Sequence, residues 1–464
     1  MLFATVAALT VGTVGVVASS ASAQEAAAPA AAATQTPEEI KAAAKAAKQA
    51  AAEAARKQAE LRRLYGMGPY PDEIDAFIGS RPEKLKPLFR TLYTGGERNA
   101  VLNLQRLGLA AMGEGEWQIA EWAFDKALFR IEAIYANNPR ADAARSSFHN
   151  EANKDYKGEP YERSMAYYYR GLLYLRAGDY DNARASFKGA EYQDTLSEAE
   201  TFQSDFAVMN YLIGWTQHCQ GDNSSAAEAF GIAAKSQAGL QAPGPKDNVL
   251  FVAELGNSPV KARGGSSEEM LTFAAGPSVD ENRARFDLST GASVSGIPAS
   301  SVSYQATTRG RRAIDGIMKG KASLKSTTSG IGDGLLRSGL NSNDTTMMAV
   351  GAVFSMFSSA VKTKADIRQW DNLPDQILVG TAAASSPKWD SKVTFLRDDT
   401  ALDLKPGAWM RSDAKGCSIV WTRSRPADQI SEGVVGEDDG VAKAVRAKKD
   451  VQTKDAAFRQ WLES

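Results

Sequence analysis

The chain has 464 residues, enough for two or three domains with substantial cores, and a formal net charge of −1. That balance speaks against nucleic acid or an anionic membrane surface as the main partner. Two cysteines (Cys219, Cys417) and two histidines (His149, His218) are too few for a Cys/His metal site or a His-based triad, so no metal and no cofactor is expected.

In chain order, residues 1–23 read as a signal peptide. Residues 2–18 are mostly apolar, and Ala21-Ser22-Ala23 supplies a small-x-small cleavage site before Gln24, although no Lys or Arg precedes the apolar run. No cysteine lies near that site for lipid attachment. Residues 24–66 read as an Ala/Pro-rich tether and an Ala-rich helix. The helix opens at Thr36-Pro37-Glu38-Glu39 with a cap, a proline at the first helical position and acids in the first turn. With hardly any large apolar side chain it is expected to be a spacer or weak coiled coil, and its basic stretch 56–63 a solvated face.

Residues 67–238 carry a recurring helical hairpin. The stretch 166–194 reads as two short helices joined at Ala177-Gly178-Asp179, with Tyr167, Gly171 and Tyr174 striped on the first and Ala183, Phe187 and Ala190 on the second. The same offsets recur upstream at Leu104, Gly108, Ala111, Gly115, Ala120, Phe124 and Ala127, and downstream at Gly214, Gly221, Ala226, Phe230 and Ala233. An aromatic-x3-Gly-x2-Tyr helix followed by Ala-x3-Phe-x2-Ala resembles the tetratricopeptide repeat. Gly108, Gly171 and Gly214 lie 63 and 43 residues apart, against a family period of roughly 34, so insertions interrupt the units. The insertion carrying Tyr156, Gly158, Glu159, Pro160, Tyr161 and Glu162 reads either as a binding edge or as a loop pinned to the repeats by its tyrosines.

Pro243-Gly244-Pro245 breaks the helical pattern, and residues 248–426 read as a mixed, strand-containing module. Strands are expected at 249–252, 301–307, 376–379, 392–396 and 418–422, with helices at 312–321 and 346–362. The apolar run 347–360 is shorter than the ~20 residues of a membrane span and reads as a buried helix. Residues 427–464 form a charged tail in which Phe458 and Trp461 are placed to dock.

Three patterns mimic chemistry. Ser-x-x-Lys occurs at 258–261, 359–362 and 385–388, but no Lys-Thr-Gly accompanies it, and its recurrence marks chance. The glycine-rich 330–334 lacks the Gly-Lys-Ser/Thr of a phosphate loop. Asp398/Asp399 and Asp438/Asp439 lie in polar surroundings that would not separate their pKa values for acid–base work. Cys219 and Cys417 fall in different regions and are expected to remain separate thiols.

The hairpin at 162–190, the segment NVLFVAELGNSPVK at 248–261, and Ala365-Asp366-Ile367-Arg368-Gln369-Trp370 followed by Leu373-Pro374 together resemble an uncharacterised family of bacterial exported envelope proteins, often lipoproteins. The resemblance covers about 67–426 and implies tetratricopeptide-like repeats ahead of a strand-rich C-terminal module. It brings no catalytic residues, and this chain departs from the lipoprotein members in lacking a lipidated cysteine. Within its motif, Asp366 and Arg368 read as a structural ion pair beside a core tryptophan, Trp370.

The expected fold is therefore α+β: a tetratricopeptide-like helical-hairpin repeat domain followed by a mixed α/β module. The expected function is a non-catalytic, exported scaffold in the periplasm or cell envelope, holding another envelope protein or peptide. Candidate contact residues are Tyr156, Tyr161, Tyr168, Arg170 and Trp215, while Tyr167 falls on the packing stripe. Gly108, Ala120, Phe124, Gly171, Ala183, Phe187, Gly214, Ala226 and Phe230 are the repeat-forming residues. Two other classes stay open: an envelope enzyme acting on glycan or peptide through the C-terminal module, and a membrane-associated assembly subunit using 347–360.

Overall fold

A computed structural model describes residues 36–135, 155–195, 205–308 (apart from 266, 267, 269 and 275), 364–384, 391–412, 416–428, 434, 436–437 and 439–464. The sequence-expected helices at 312–321 and 346–362, the apolar run 347–360 and the glycine-rich 330–334 lie outside them. The chain divides into two units, Met1–Glu60 and Leu61–Ser464. The described part of the first unit belongs to α1 (Pro37–Tyr65), which has no buried side chain, as its alanine-rich composition dictates. Its start is a capping box: Thr36 N donates to Glu39 Oε2 at 2.8 Å and Glu39 N to Thr36 Oγ1 at 3.3 Å.

In the second unit, α2 (Pro71–Ile78) and α3 (Lys86–Gly95) precede three helical hairpins. These are α4 (Ala100–Gly113) with α5 (Trp117–Tyr135), α6 (Pro160–Ala177) with α7 (Tyr180–Thr195), and α8 (Ala207–Cys219) with α9 (Asn223–Ser236). The sequence spacing has a direct physical cause. A Cβ on Gly108, Gly171 or Gly214 would fall 3.0 Å or less from the ring of Phe124, Phe187 or Phe230 respectively, so each first helix presents bare backbone to the phenylalanine of its own partner helix. Ala120, Ala183 and Ala226 are buried on the second helices. Gly178 (φ 76°) closes the middle turn in the left-handed region, and its N–H donates to the carbonyls of Leu175 and Tyr174. Helix α6 begins six residues earlier than the repeat pattern indicates, because Glu159 and Glu162 form a capping box ahead of Pro160.

The strands are β1 (Val249–Leu255), β2 (Val260–Gly264), β3 (Met270–Ala274), β4 (Arg283–Leu288), β5 (Ser293–Ser295), β6 (Ile297–Ser301), β7 (Gln376–Ala382), β8 (Ser391–Arg397), β9 (Thr400–Ala401), β10 (Ala408–Arg411) and β11 (Ser418–Arg423). They form a five-stranded sheet ordered β10-β11-β1-β7-β6, a four-stranded sheet ordered β5-β4-β8-β9, and the hairpin β2-β3. Central strand β1 is parallel to β11 and antiparallel to β7. The fold is α+β, with helices concentrated in the first half and sheets in the second.

Strand β1 is buried at every position because it is covered on both faces. Leu250 and Val252 pack with the helices, and Val249, Phe251, Ala253 and Leu255 pack with Phe286, Val393 and Phe395 of the four-stranded sheet. The first helices of the three hairpins touch the five-stranded sheet, α4 at β10, α6 at β11 and α8 at β6. Hairpins and sheet thus share one hydrophobic core across the Pro243–Pro245 break.

Residues 301–307 are not a strand. Strand β6 ends at Ser301 and α10 (Val302–Thr308) follows. Ser301 Oγ accepts from Tyr304 N at 3.1 Å and Asp375 Oδ1 accepts from Ser303 N at 3.3 Å, so capping by a distant aspartate overrides the alternating pattern. In the tail, α11 (Asp439–Arg446) and α12 (Lys449–Glu463) are helical, and Phe458 and Trp461 do dock. Lys126 and Arg130 of α5 sit 4.1 and 4.5 Å from the Trp461 ring centroid, and Arg130 sits 4.8 Å from that of Phe458.

Candidate functional site

The charged groups that draw most attention lie where the hairpins meet the sheet. Alternation along β1 turns Glu254 towards the helices, with no exposure. Its carboxylate accepts from Tyr168 Oη at 3.1 Å, Tyr169 Oη at 2.9 Å and Trp421 Nε1 at 2.9 Å, and Arg423 Nε lies 3.3 Å away. Burial pushes the Glu254 carboxyl above the usual range against the pull of Arg423. Burial, followed by the Glu254 charge, raises both tyrosines well above their ordinary value. Every member of this group is buried, which makes it a polar clamp between layers rather than a reactive cleft.

A second network gathers around Glu162. Lys261 Nζ donates to it at 2.5 Å, Trp370 N at 2.9 Å and Glu159 N at 2.7 Å. Lys261 Nζ also donates to Arg368 O at 2.9 Å. Arg368 is 1 % exposed, pairs with Asp366 at 2.6 Å, and donates to Asn99 Oδ1 at 2.8 Å. Burial pushes Asp366 up, but the Arg368 guanidinium and its hydrogen bonds outweigh that and hold the carboxyl below its usual range. Arg98 pairs with Glu437, Arg106 with Asp371 at 2.8 Å, and Asn372 Nδ2 donates to Arg106 O and Ala427 O. The Asp366-x-Arg368-x-Trp370 run is thus a strap joining helices to sheet, and Trp370 is fully buried.

These contacts decide where the sequence-predicted contact residues lie. Tyr156, Tyr161, Tyr168 and Trp215 are 2 %, 2 %, 0 % and 1 % exposed, so they present nothing to a partner. The Tyr156 ring lies beneath Lys261 and Arg368, Tyr161 meets Phe273 edge to face, and Trp215 stacks on His218. Of the two readings of the 156–162 insertion, the tyrosine-pinned loop matches the structure. Arg170 is also buried, held by Asp125 at 2.7 Å and lying over the Tyr174 ring. Tyr167 is partly buried and donates to Glu132 at 2.9 Å. The cover differs with the residue: the five-stranded sheet for Tyr168, the β2-β3 hairpin and the 366–370 strap for Tyr156 and Tyr161, and the neighbouring helix α5 for Arg170 and Tyr167.

The mimic motifs resolve similarly. Ser258 Oγ donates to the carbonyls of Pro259 and Trp370 while Lys261 serves Glu162, so Ser258-x-x-Lys261 is not a nucleophile and its base. The other two Ser-x-x-Lys matches and Asp438 lie outside the described residues. Asp398 and Asp399 sit in an exposed turn, tied to Asn282 and Arg283. Cys219 and Cys417, expected as separate thiols, form a disulfide with a Cα–Cα distance of 5.7 Å. The end of α8 meets the start of β11 there: the His218 ring bonds Asp247 O just before β1, and Tyr180 Oη donates to Cys417 O.

One acidic pair carries no sequence motif. Asp194, at the end of α7, accepts from the backbone N–H groups of Asp205 and Phe206 at 3.1 and 3.2 Å, stitching α7 to the start of α8. Burial, then the nearby charge of Asp205, pushes its carboxyl up to about 7. Gln305 of α10 donates to Asp205 Oδ1 at 2.8 Å.

Among the described residues there is no group of three or more His, Cys, Asp and Glu able to hold a metal ion, and no helix long and apolar enough to cross a membrane. Comparison with protein-family models, curated proteins and solved structures returns no match.

Proposed function

We propose that the protein is a non-catalytic, exported scaffold of the cell envelope, and that it holds another envelope protein on the outer surface of its tetratricopeptide-like hairpins. The observation that carries this reading is the filling of the inner hairpin face by the chain's own five-stranded sheet. A groove already occupied by strands β6, β10 and β11 leaves the outer helices as the surface available for a partner. The buried charges that chemistry would require are committed to joining layers. A disulfide between Cys219 and Cys417 suits an oxidising compartment, which supports export together with the apolar stretch at 2–18.

On the outer surface, Phe129, Tyr192 and Ile232 are 62 %, 61 % and 37 % exposed. Each lies near the C-terminal end of the second helix in its hairpin. Exposed aromatics with few rotatable bonds are suited to anchoring a protein partner. A photo-crosslinking amino acid placed at each of these positions in producing cells should give one discrete adduct, and the same label at exposed Lys235 should give none. Adducts from neither, or equally from both, would refute the reading.

A further inference from the structure

Strand β8 has an unfinished edge. It is paired along its length with β4, through Arg283↔Leu396, Arg285↔Thr394 and Asp287↔Lys392. On its other side β9 pairs only with Leu396 and Arg397, and Leu402 N adds a bond to Phe395 O. The direction of the ladder follows from β4. Ala284 and Leu288 exchange their backbone bonds with the β5 side, at Gly296 and Ala292, so Arg283, Arg285 and Asp287 bond towards β8. Leu396, Thr394 and Lys392 therefore bond towards β4, and Val393 turns its N–H and C=O to the opposite side. The chain has already diverged from β8 there: among the described residues no backbone group pairs with those of Val393 on that side.

That edge opens into a cavity of about 500 Å³ between β8 and the segment 402–406. Val393, Leu404 and half-buried Trp409 give it an apolar wall, and Lys392, Lys405 and Asp403 stand around it. The side chains of Lys392, Lys405 and Asp403 make no hydrogen bond or ion pair with another described residue, so two lysines against one aspartate leave a net positive charge among the residues that line the cavity. A strand edge left open among the described residues, beside an apolar wall that includes Trp409 and two lysine side chains without a described partner, has the parts for strand addition. The backbone supplies hydrogen bonds, alternate side chains enter the apolar wall, and the others meet the lysines.

We propose that this cleft binds an extended acidic peptide segment of a partner protein, added as a strand to the free edge of β8. The site is built from β8 of the four-stranded sheet, the segment 402–406 and Trp409 of β10, all elements other than the hairpins, and stands whether or not the hairpin surface binds anything.

The test uses the full chain and a fluorescein-labelled Thr-Val-Glu-Val-Glu-Thr peptide, read by anisotropy at low and high salt. Saturable binding is expected, lost when the second of the two valines is N-methylated and lost when both glutamates are replaced by lysine. The double variant Lys392→Glu/Lys405→Glu should weaken binding about tenfold or more, and Trp409→Ala should weaken it too. The N-methylated peptide needs no protein variant, so a folding defect cannot blur that comparison. Absence of saturable binding, or equal affinity for the N-methylated peptide, would overturn the proposal. So would a dimer, seen by sedimentation, that the peptide fails to dissociate, since the edge would then belong to a second copy of the chain.

Discussion

The hydroxyl of Tyr168, on the first helix of the middle hairpin, donates at 3.1 Å to Glu254 on the central strand of the sheet. Tyr169, Trp421 and Arg423 share the same carboxylate, and every member of the group is 2 % exposed or less. Glu254→Ala would strand two phenols, an indole N–H and a guanidinium, which costs about 3–5 kcal/mol when a buried charge loses its partner. Glu254→Gln keeps an acceptor and should cost less. Urea unfolding of both variants checks the order, and equal stability of wild type and Glu254→Ala would contradict the clamp.

Two helical glycines should respond to alanine with opposite signs. Alanine gains about 1 kcal/mol of helix propensity over glycine. At Gly171 the added Cβ would overlap the ring of buried Phe187, and overpacking costs about 1–3 kcal/mol, so Gly171→Ala should destabilise. At Gly231 nothing lies within 4 Å of the added Cβ, so Gly231→Ala should stabilise by about 0.5–1 kcal/mol. Thermal unfolding reads both, and the same sign at both sites would remove the close-crossing explanation of the repeat.

Asp194 makes stability depend on pH. Burial holds its folded-state pKa at about 7, above the ordinary carboxyl value of 3.8, so the folded chain holds that proton more tightly than the unfolded chain does. The stability this contributes is present at pH values below the unfolded pKa and is lost as pH rises from about 4 through 7. Asp205 and Glu191 face Asp194 and add to the rise, while the N–H groups of Asp205 and Phe206 oppose it. Asp194→Asn removes the titration while keeping an oxygen for those N–H groups. Across pH 4 to 7 the wild type should lose stability relative to this variant, by up to about 4 kcal/mol. Parallel stability curves would contradict the buried, acid-flanked geometry.

The Cys219–Cys417 bridge spans a sequence separation of 198 residues. Chain-entropy arguments assign a loop of that size about 5 kcal/mol of stabilisation, so reduction, or Cys417→Ser, should lower the unfolding free energy on that scale. A non-reducing peptide map should join the two cysteine-containing peptides. Two free thiols in the unfolded, unreduced chain would contradict the pairing.

What was legible in the sequence was local. The Gly171/Phe187 spacing could be read because one hairpin brings the two residues together, and the apolar run of β1 because a strand covered on both faces has no polar alternation. Residues 301–307 were misleading because their helix is capped by Asp375, 72 residues beyond Ser303. The Glu254 clamp and the disulfide depend on the parallel pairing of β1 with β11, which no short window contains. Tyr156, Tyr161, Tyr168 and Trp215 have the composition of a binding surface, and only contacts made by distant parts of the chain, such as Lys261, Arg368, Phe273 and Glu254, show that they are interior. The edge of β8 carries no motif, since it exists through where β9 stops.

The occupied inner face of the hairpins is tested most directly by nitrating the native protein with tetranitromethane and mapping the modified tyrosines by mass spectrometry. Tyr192 and Tyr304, 61 % and 46 % exposed, should react readily, while Tyr168 and Tyr169, both at 0 %, should react only after unfolding. Native-state modification of Tyr168 and Tyr169 at the rate of Tyr192 would mean that the groove stands open, and would contradict the account.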